Sequence, residues 1–189
     1  ELGVDNFGTW SYFLSILTII FTLSYFGINS AASKFLAEYN KSNELKSVVR
    51  DAFKIRFIFS LFFLVFFLPF VWPLVYFLER PEFLNLFLVA FPLIFFSGTT
   101  EFLKDVFIGL HRAKYNLFVN LSEYSGKFIL VLILFLYDTS IFTIIAAFTI
   151  SLFVSTLVGI YIVYKNFFRN LIASKSRYTY EILKYSVPL

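Results

Sequence analysis

Residues 57–78, FIFSLFFLVFFLPFVWPLVYFL, contain no charged side chain. At 1.5 Å per residue a helix of this length covers about 33 Å, enough to cross roughly 30 Å of hydrocarbon. Working outward, residues 6–33, 83–100 and 139–164 are also free of charge, and a further apolar stretch over about 117–137 carries only Glu123 and Lys127. These runs are continuously apolar rather than alternating in ten-residue segments, so they specify helices and not a β-barrel. Of the 189 residues, 59% are hydrophobic, 15% are charged and 29 are Phe, a composition that excludes an ordinary water-soluble domain. The expected class is an all-α, polytopic membrane protein. Its five transmembrane helices are expected at about 8–37, 50–76, 83–108, 115–137 and 140–166, and residues 179–189 are expected to begin another.

The basic residues orient these spans. Lys34, Lys41, Lys46, Arg50, Lys54 and Arg56 follow the first, Lys104, Arg112 and Lys114 follow the third, and Lys165, Arg169, Lys175, Arg177 and Lys184 follow the fifth. The intervening connections hold only Arg80, and Lys127 lies inside a span. Basic loops stay in the cytoplasm, so the alternation supports five crossings with the first span running inward. Trp10 and Trp72 then fall at the outer interface, where indoles prefer to sit. The chain opens outside on ELGVDNFGTW, without Met or a basic leader, and TYEILKYSVPL at 179–189 has the pattern of an approach to another span entering at Pro188. At least one preceding helix is therefore expected, and the 189 residues are expected to be part of a longer protein. On the cytoplasmic side, residues 33–56 are amphipathic and charge-dense, as helix ends bent along a membrane surface would be. Gly27, Pro69, Pro73 and Pro92 mark candidate bends or hinges.

Several function classes are disfavoured. There is no cysteine, no nucleotide-binding glycine loop and no zinc motif, so no metal and no cofactor is expected. The lone histidine, His111, sits in an inner loop where an ordinary polar role is expected. The net charge of +4 is accounted for by topology, and no nucleic-acid partner is expected. The short outer connections leave no room for a catalytic domain, and an enzyme is not expected.

The polar residues inside the spans carry the functional signal. Asn116, Asn120, Glu123 and Lys127 are spaced 4, 3 and 4 and form one stripe on the fourth span. Lys127 lies roughly 15 Å deep if the helix enters hydrocarbon near Leu117. Ser97, Glu101 and Lys104, with Asp105 beside them, occupy the cytoplasmic end of the preceding span at overlapping depth, so Glu101 or Glu123 is the expected partner of Lys127. Two readings stand side by side: an ion pair that locks the bundle, or charges lining a hydrated cavity on a transport route. On the first span Ser11, Ser15, Thr18, Thr22, Tyr25 and Asn29 form a polar face suited either to helix packing or to a wet cavity. On the last, Thr143, Ala147, Ser151, Ser155 and Gly159 recur every four residues as a small-residue packing ridge.

Four stretches resemble the oligosaccharide flippases of the polysaccharide biosynthesis family, the Wzx-type branch of the multidrug/oligosaccharidyl-lipid/polysaccharide exporter superfamily. LGVDNFGTWSYFLSI at 2–16 is similar to that family's first outer turn and second helix, and SAASKFLAEYNKSNELKSVVRDAF at 30–53 to its first large cytoplasmic loop. FIGLHRAKYNLFVNL at 107–121 resembles the connection between its fourth and fifth helices, and LKYSVPL at 183–189 the entry to its seventh. The resemblance implies that residues 1–178 are helices two to six of an N-terminal transmembrane lobe in a transporter of 12–14 helices, sited in the cell membrane. It implies alternating access for a polyprenyl-linked oligosaccharide, moved from the cytoplasmic to the outer leaflet for surface glycan assembly. In that setting Lys127 and Lys104 would meet the phosphate-bearing head group, while Asn116, Asn120, Ser15, Thr18 and Thr22 would meet sugars. Glu101 and Glu123 would take the coupling ion, a proton or sodium. Membrane lipids are the other expected partners. A cation-coupled small-molecule or drug exporter of the same superfamily, a membrane-embedded glycan-assembly enzyme and a structural or accessory subunit are the alternatives.

Overall fold

The computed structural model describes residues 3–25, 27–42, 44–168 and 178–186. Arg169, Lys175, Arg177 and Pro188, used above for topology and for the last span, lie outside the described residues. Among the described residues seven α-helices follow one another: α1 Val4–Tyr25, α2 Ile28–Glu38, α3 Leu45–Phe77, α4 Phe83–Gly109, α5 Ala113–Leu134, α6 Ile141–Val163 and α7 Thr179–Ser186. A π-helical turn, Tyr164–Phe168, continues α6. There is no strand among the described residues. Five of these helices, α1, α3, α4, α5 and α6, are long and apolar enough to cross a membrane.

The first span is broken where a single helix was expected. Gly27 has φ 70, in the left-handed region, and caps α2 from there. A residue with Cβ is disfavoured in that conformation, so glycine is the residue that ends α1 and redirects the chain. The close approach of Ser186 adds a second reason, because a Cβ at Gly27 would stand 2.5 Å from its carbonyl oxygen. The prolines behave differently: Pro69 and Pro73 lie within a continuous α3, and Pro92 within a continuous α4.

α4 is the central element, packed against α1, α2, α3, α5 and α6. Around its outer half Trp10, Phe13, Leu17, Phe83, Phe87 and Ile145 form one buried cluster, with the Phe13 and Phe87 rings 4.9 Å apart. Around its inner half Ile28, Leu36, Val48, Phe102, Phe107 and Ile182 form another. The phenyl groups of Phe57, Phe62, Phe66 and Phe70 on α3 stay exposed on the surface of the bundle, as lipid-facing side chains do.

The small-residue ridge of α6 is a packing face. Ser151 Oγ donates to the Glu123 carbonyl at 2.6 Å and Ser155 Oγ to the Val119 carbonyl at 2.9 Å, so α5 lies directly on α6. A Cβ at Gly126 would stand 2.6 Å from Ser151 Oγ and one at Gly159 2.8 Å from Leu103 Cδ1, so both glycines mark close approach between helices. At the inner surface Asp51, fully buried on α3, accepts the Tyr178 amide at 3.1 Å and ties the start of α7 to the bundle.

Candidate functional site: a chain of four charges between two helices

α4 and α5 are antiparallel neighbours joined by a short turn in which His111, φ 54, takes the left-handed position that ends α4. That turn sets the register of two short-range charge pairs. Glu101 and Lys104 are three residues apart on α4, and Glu123 and Lys127 are four apart on α5, so each pair shares one helical face. Lys104 Nζ lies 2.6 Å from Glu101 Oε1 and 2.6 Å from Glu123 Oε2. Lys127 Nζ pairs with Glu123 Oε1. The four groups therefore alternate in sign: Glu101, Lys104, Glu123, Lys127.

The burial is graded along this chain. The side chains of Lys104 and Glu123 are 8% and 5% exposed, whereas the two ends, Glu101 and Lys127, are 39% and 22% exposed. The Tyr124 ring spans both ammonium groups, with its centroid 5.5 Å from Lys104 Nζ and 5.4 Å from Lys127 Nζ, and Phe148 lies 5.3 Å from the latter. These aromatic faces add cation–π attraction to the ionic contacts. Net charge is zero, and a buried ion pair gains little or nothing over apolar packing because both partners must be desolvated. Such a quartet is poor value as a stability device. In a membrane-spanning region ionisable groups mark functional sites by default.

The remaining candidates divide into two sets. Asn116 and Asn120 lie on the same face of α5 toward its cytoplasmic end, half-buried, with the Asn120 amide donating to Asn116 Oδ1 at 3.1 Å. The hydroxyls of Ser15, Thr18 and Thr22 donate to the carbonyls of Ser11, Leu14 and Thr18, each at 2.9 Å, and all three side chains are exposed. Ser15, Thr18 and Thr22 thus make no hydrogen bond to a neighbouring helix among the described residues. The face that does pack is Trp10, Phe13, Leu17 and Ile20. At the inner end of the stripe Tyr25 faces Ser97, and Asn29 is buried beside Asp105.

Sequence reasoning missed Arg56. Counted among the cytoplasmic basic residues, it is 3% exposed within α3. Its Nη1 donates to the Ser24 carbonyl at 2.8 Å, and Nη2 fills the space that a Cβ at Gly98 would need. Arg56 Nε and Ser60 Oγ have no hydrogen-bond partner among the described residues, and both side chains line a cavity of about 10 Å³, the room of one water molecule. The only sequence signal was Gly98, an isolated glycine inside an apolar helix.

A family model described as "Polysaccharide biosynthesis protein" matches residues 1–189. No curated protein and no solved structure matches the chain. With five membrane-crossing helices, a charge quartet between two of them and a match over its whole length, the chain belongs to the polysaccharide biosynthesis protein family, as a multi-pass membrane transporter of polysaccharide synthesis.

Proposed function

We propose that the protein moves a lipid-linked oligosaccharide from the cytoplasmic to the outer leaflet by alternating access, and that residues 1–178 are helices two to six of its N-terminal lobe. The observation that carries this reading is the quartet Glu101–Lys104–Glu123–Lys127, buried in its middle and open at both ends. A phosphate-bearing head group needs cations held away from bulk water, where each charge-assisted hydrogen bond is strongest. Lys127, the more exposed of the two lysines, makes the first contact in this scheme, and Lys104 becomes available as the Glu123 carboxylate is shared. Asn116 and Asn120, whose amides now bind each other, offer donors and acceptors to sugars, and the exposed hydroxyls of Ser15, Thr18 and Thr22 do the same from α1. The polyprenyl tail stays in lipid.

Glu101 is the coupling group in this scheme, with Glu123 as its buried relay. A proton or sodium ion on Glu101 turns a neutral quartet into a net cation. Cation and anion occupancy are thereby linked, and the linkage is reciprocal. The balance of two acids and two bases also lacks the net acidic charge expected of a drug exporter that binds organic cations. The test is glycan export by the full-length protein carrying Lys127→Ala, at matched expression. The expected result is a fall of about tenfold or more, the loss of one charge-assisted contact to phosphate. Unchanged export would remove Lys127 from the transport route and the proposed mechanism with it.

A further inference from the structure

Arg80 is the one basic residue between spans on the side assigned to the outside, and the transport scheme gives it no task. It stands in the turn joining α3 to α4, where Glu79 takes a left-handed φ of 54 and the Arg80 amide donates to the Val75 carbonyl at 3.4 Å. This is the closing geometry of a helix C-terminus, so the turn is ordered by its own backbone. Its charged side chains are not consumed by it. Arg80 pairs with Glu82 at 3.3 Å, but both side chains are about half exposed, and an exposed pair of this kind holds its members weakly. Beside the turn is a cavity of about 480 Å³ lined by Trp72, Val75, Tyr76, Glu79, Arg80 and Leu84. Trp72 and Tyr76 are 70% and 85% exposed, one helical turn apart on α3, and the exposed Phe66 and Phe70 continue the same helix into the apolar zone.

The geometry points to a binding site for the head group of a zwitterionic phospholipid in the outer leaflet. Arg80 supplies a planar cation for the phosphate. Glu79 supplies a carboxylate for the ammonium, and the Trp72 and Tyr76 faces attract the same cation. The acyl chains then run along the lipid-facing phenyl groups of α3. A site with one carboxylate beside its arginine discriminates against a head group that carries negative charge alone, because the Glu79 carboxylate is left without a partner and close to the phosphate. The interface depth agrees, since Trp and Tyr concentrate where acyl chains give way to head groups.

The experiment uses the full-length protein reconstituted in vesicles of phosphatidylethanolamine and phosphatidylglycerol at equal mole fraction, then extracted in mild detergent for native mass spectrometry. Retained phosphatidylethanolamine is expected to exceed phosphatidylglycerol, and Arg80→Gln and Glu79→Gln are each expected to reduce its occupancy about tenfold, a change equivalent to one charge-assisted contact. Trp72→Leu keeps the apolar bulk and is expected to lower it by a smaller factor. Both charged residues are exposed in a turn closed by backbone hydrogen bonds, and unchanged thermal unfolding of the variants verifies that the fold is intact. Equal retention of the two lipids, or unaltered phosphatidylethanolamine in both charge variants, overturns the proposal. So does displacement of the lipid by an added soluble oligosaccharide, which would make the aromatic pair a sugar platform.

Discussion

α4 meets buried charge on two sides, and the two contacts are built on opposite plans. On its α5 side Lys104 is held between two carboxylates, and every charge in the quartet meets one of opposite sign. On its α3 side the Arg56 guanidinium meets a carbonyl and the bare backbone of Gly98, with no carboxylate within ion-pair distance among the described residues. The first arrangement depends on complementarity, so deleting one member strands another. The second depends on shape and a single dipole, so deleting the charge strands nothing charged. Equal burial therefore does not imply equal dependence on the buried group.

Glu123→Gln should have the largest effect, because Glu123 alone touches both lysines. Leaving Lys104 and Lys127 short of counter-charge is expected to cost about 3–5 kcal/mol, the usual consequence of removing one partner from a buried ionic set. Thermal unfolding of the full chain in bilayer discs measures it. A loss no larger than that of Arg56→Met would break the contrast drawn above. Gly27→Ala supplies a benchmark that involves no charge at all: the left-handed φ of 70 and the 2.5 Å approach to the Ser186 carbonyl should together cost about 1–2 kcal/mol or more. If the variant unfolds at the wild-type temperature, the break between α1 and α2 is not held by that residue.

Arg56→Met is expected to be milder, about 1 kcal/mol or less, since what is lost is one hydrogen bond to the Ser24 carbonyl and what is gained is relief from burying a cation. A loss as great as that of Glu123→Gln would show that its charge is needed by a partner at longer range, and Asp105 is the candidate. The smallest effect belongs to Asp138, which braces Ser140, the N-cap of α6, from the exposed turn. The Ser140 and Thr143 hydroxyls donate to its carboxylate at 2.5 and 2.8 Å and hold its pKa below the ordinary 3.8. The ionised form is the one stabilised, so its contribution is complete above pH 3.8 and fades as the pH falls through the depressed value. Amide exchange at Thr143 should accelerate only in that acidic window; acceleration nearer neutrality would point to another group.

How far these features could be foreseen depends on whether they lie within one helix. The spans follow from uninterrupted apolar runs, and the 101/104 and 123/127 pairs follow from helical spacing alone. That Lys104 reaches across to Glu123 depends on the register of α4 against α5, which no single segment encodes. Arg56 escaped because the last charge before an apolar run has the same pattern whether it remains at the interface or is drawn inside. For the hydroxyls of Ser15, Thr18 and Thr22 the sequence leaves packing and a wet cavity open for the converse reason: periodicity reports that residues share a face but not what covers it. Each of them satisfies itself on its own backbone.

The last turn of α7 rests against Gly27, while Tyr178, the residue just before α7, is fastened to α3 through Asp51. The segment thus bridges α2 and α3. Only a residue without a side chain at position 27 lets the last carbonyl of α7 come this near the start of α2, so the same glycine both turns the first span and seats α7.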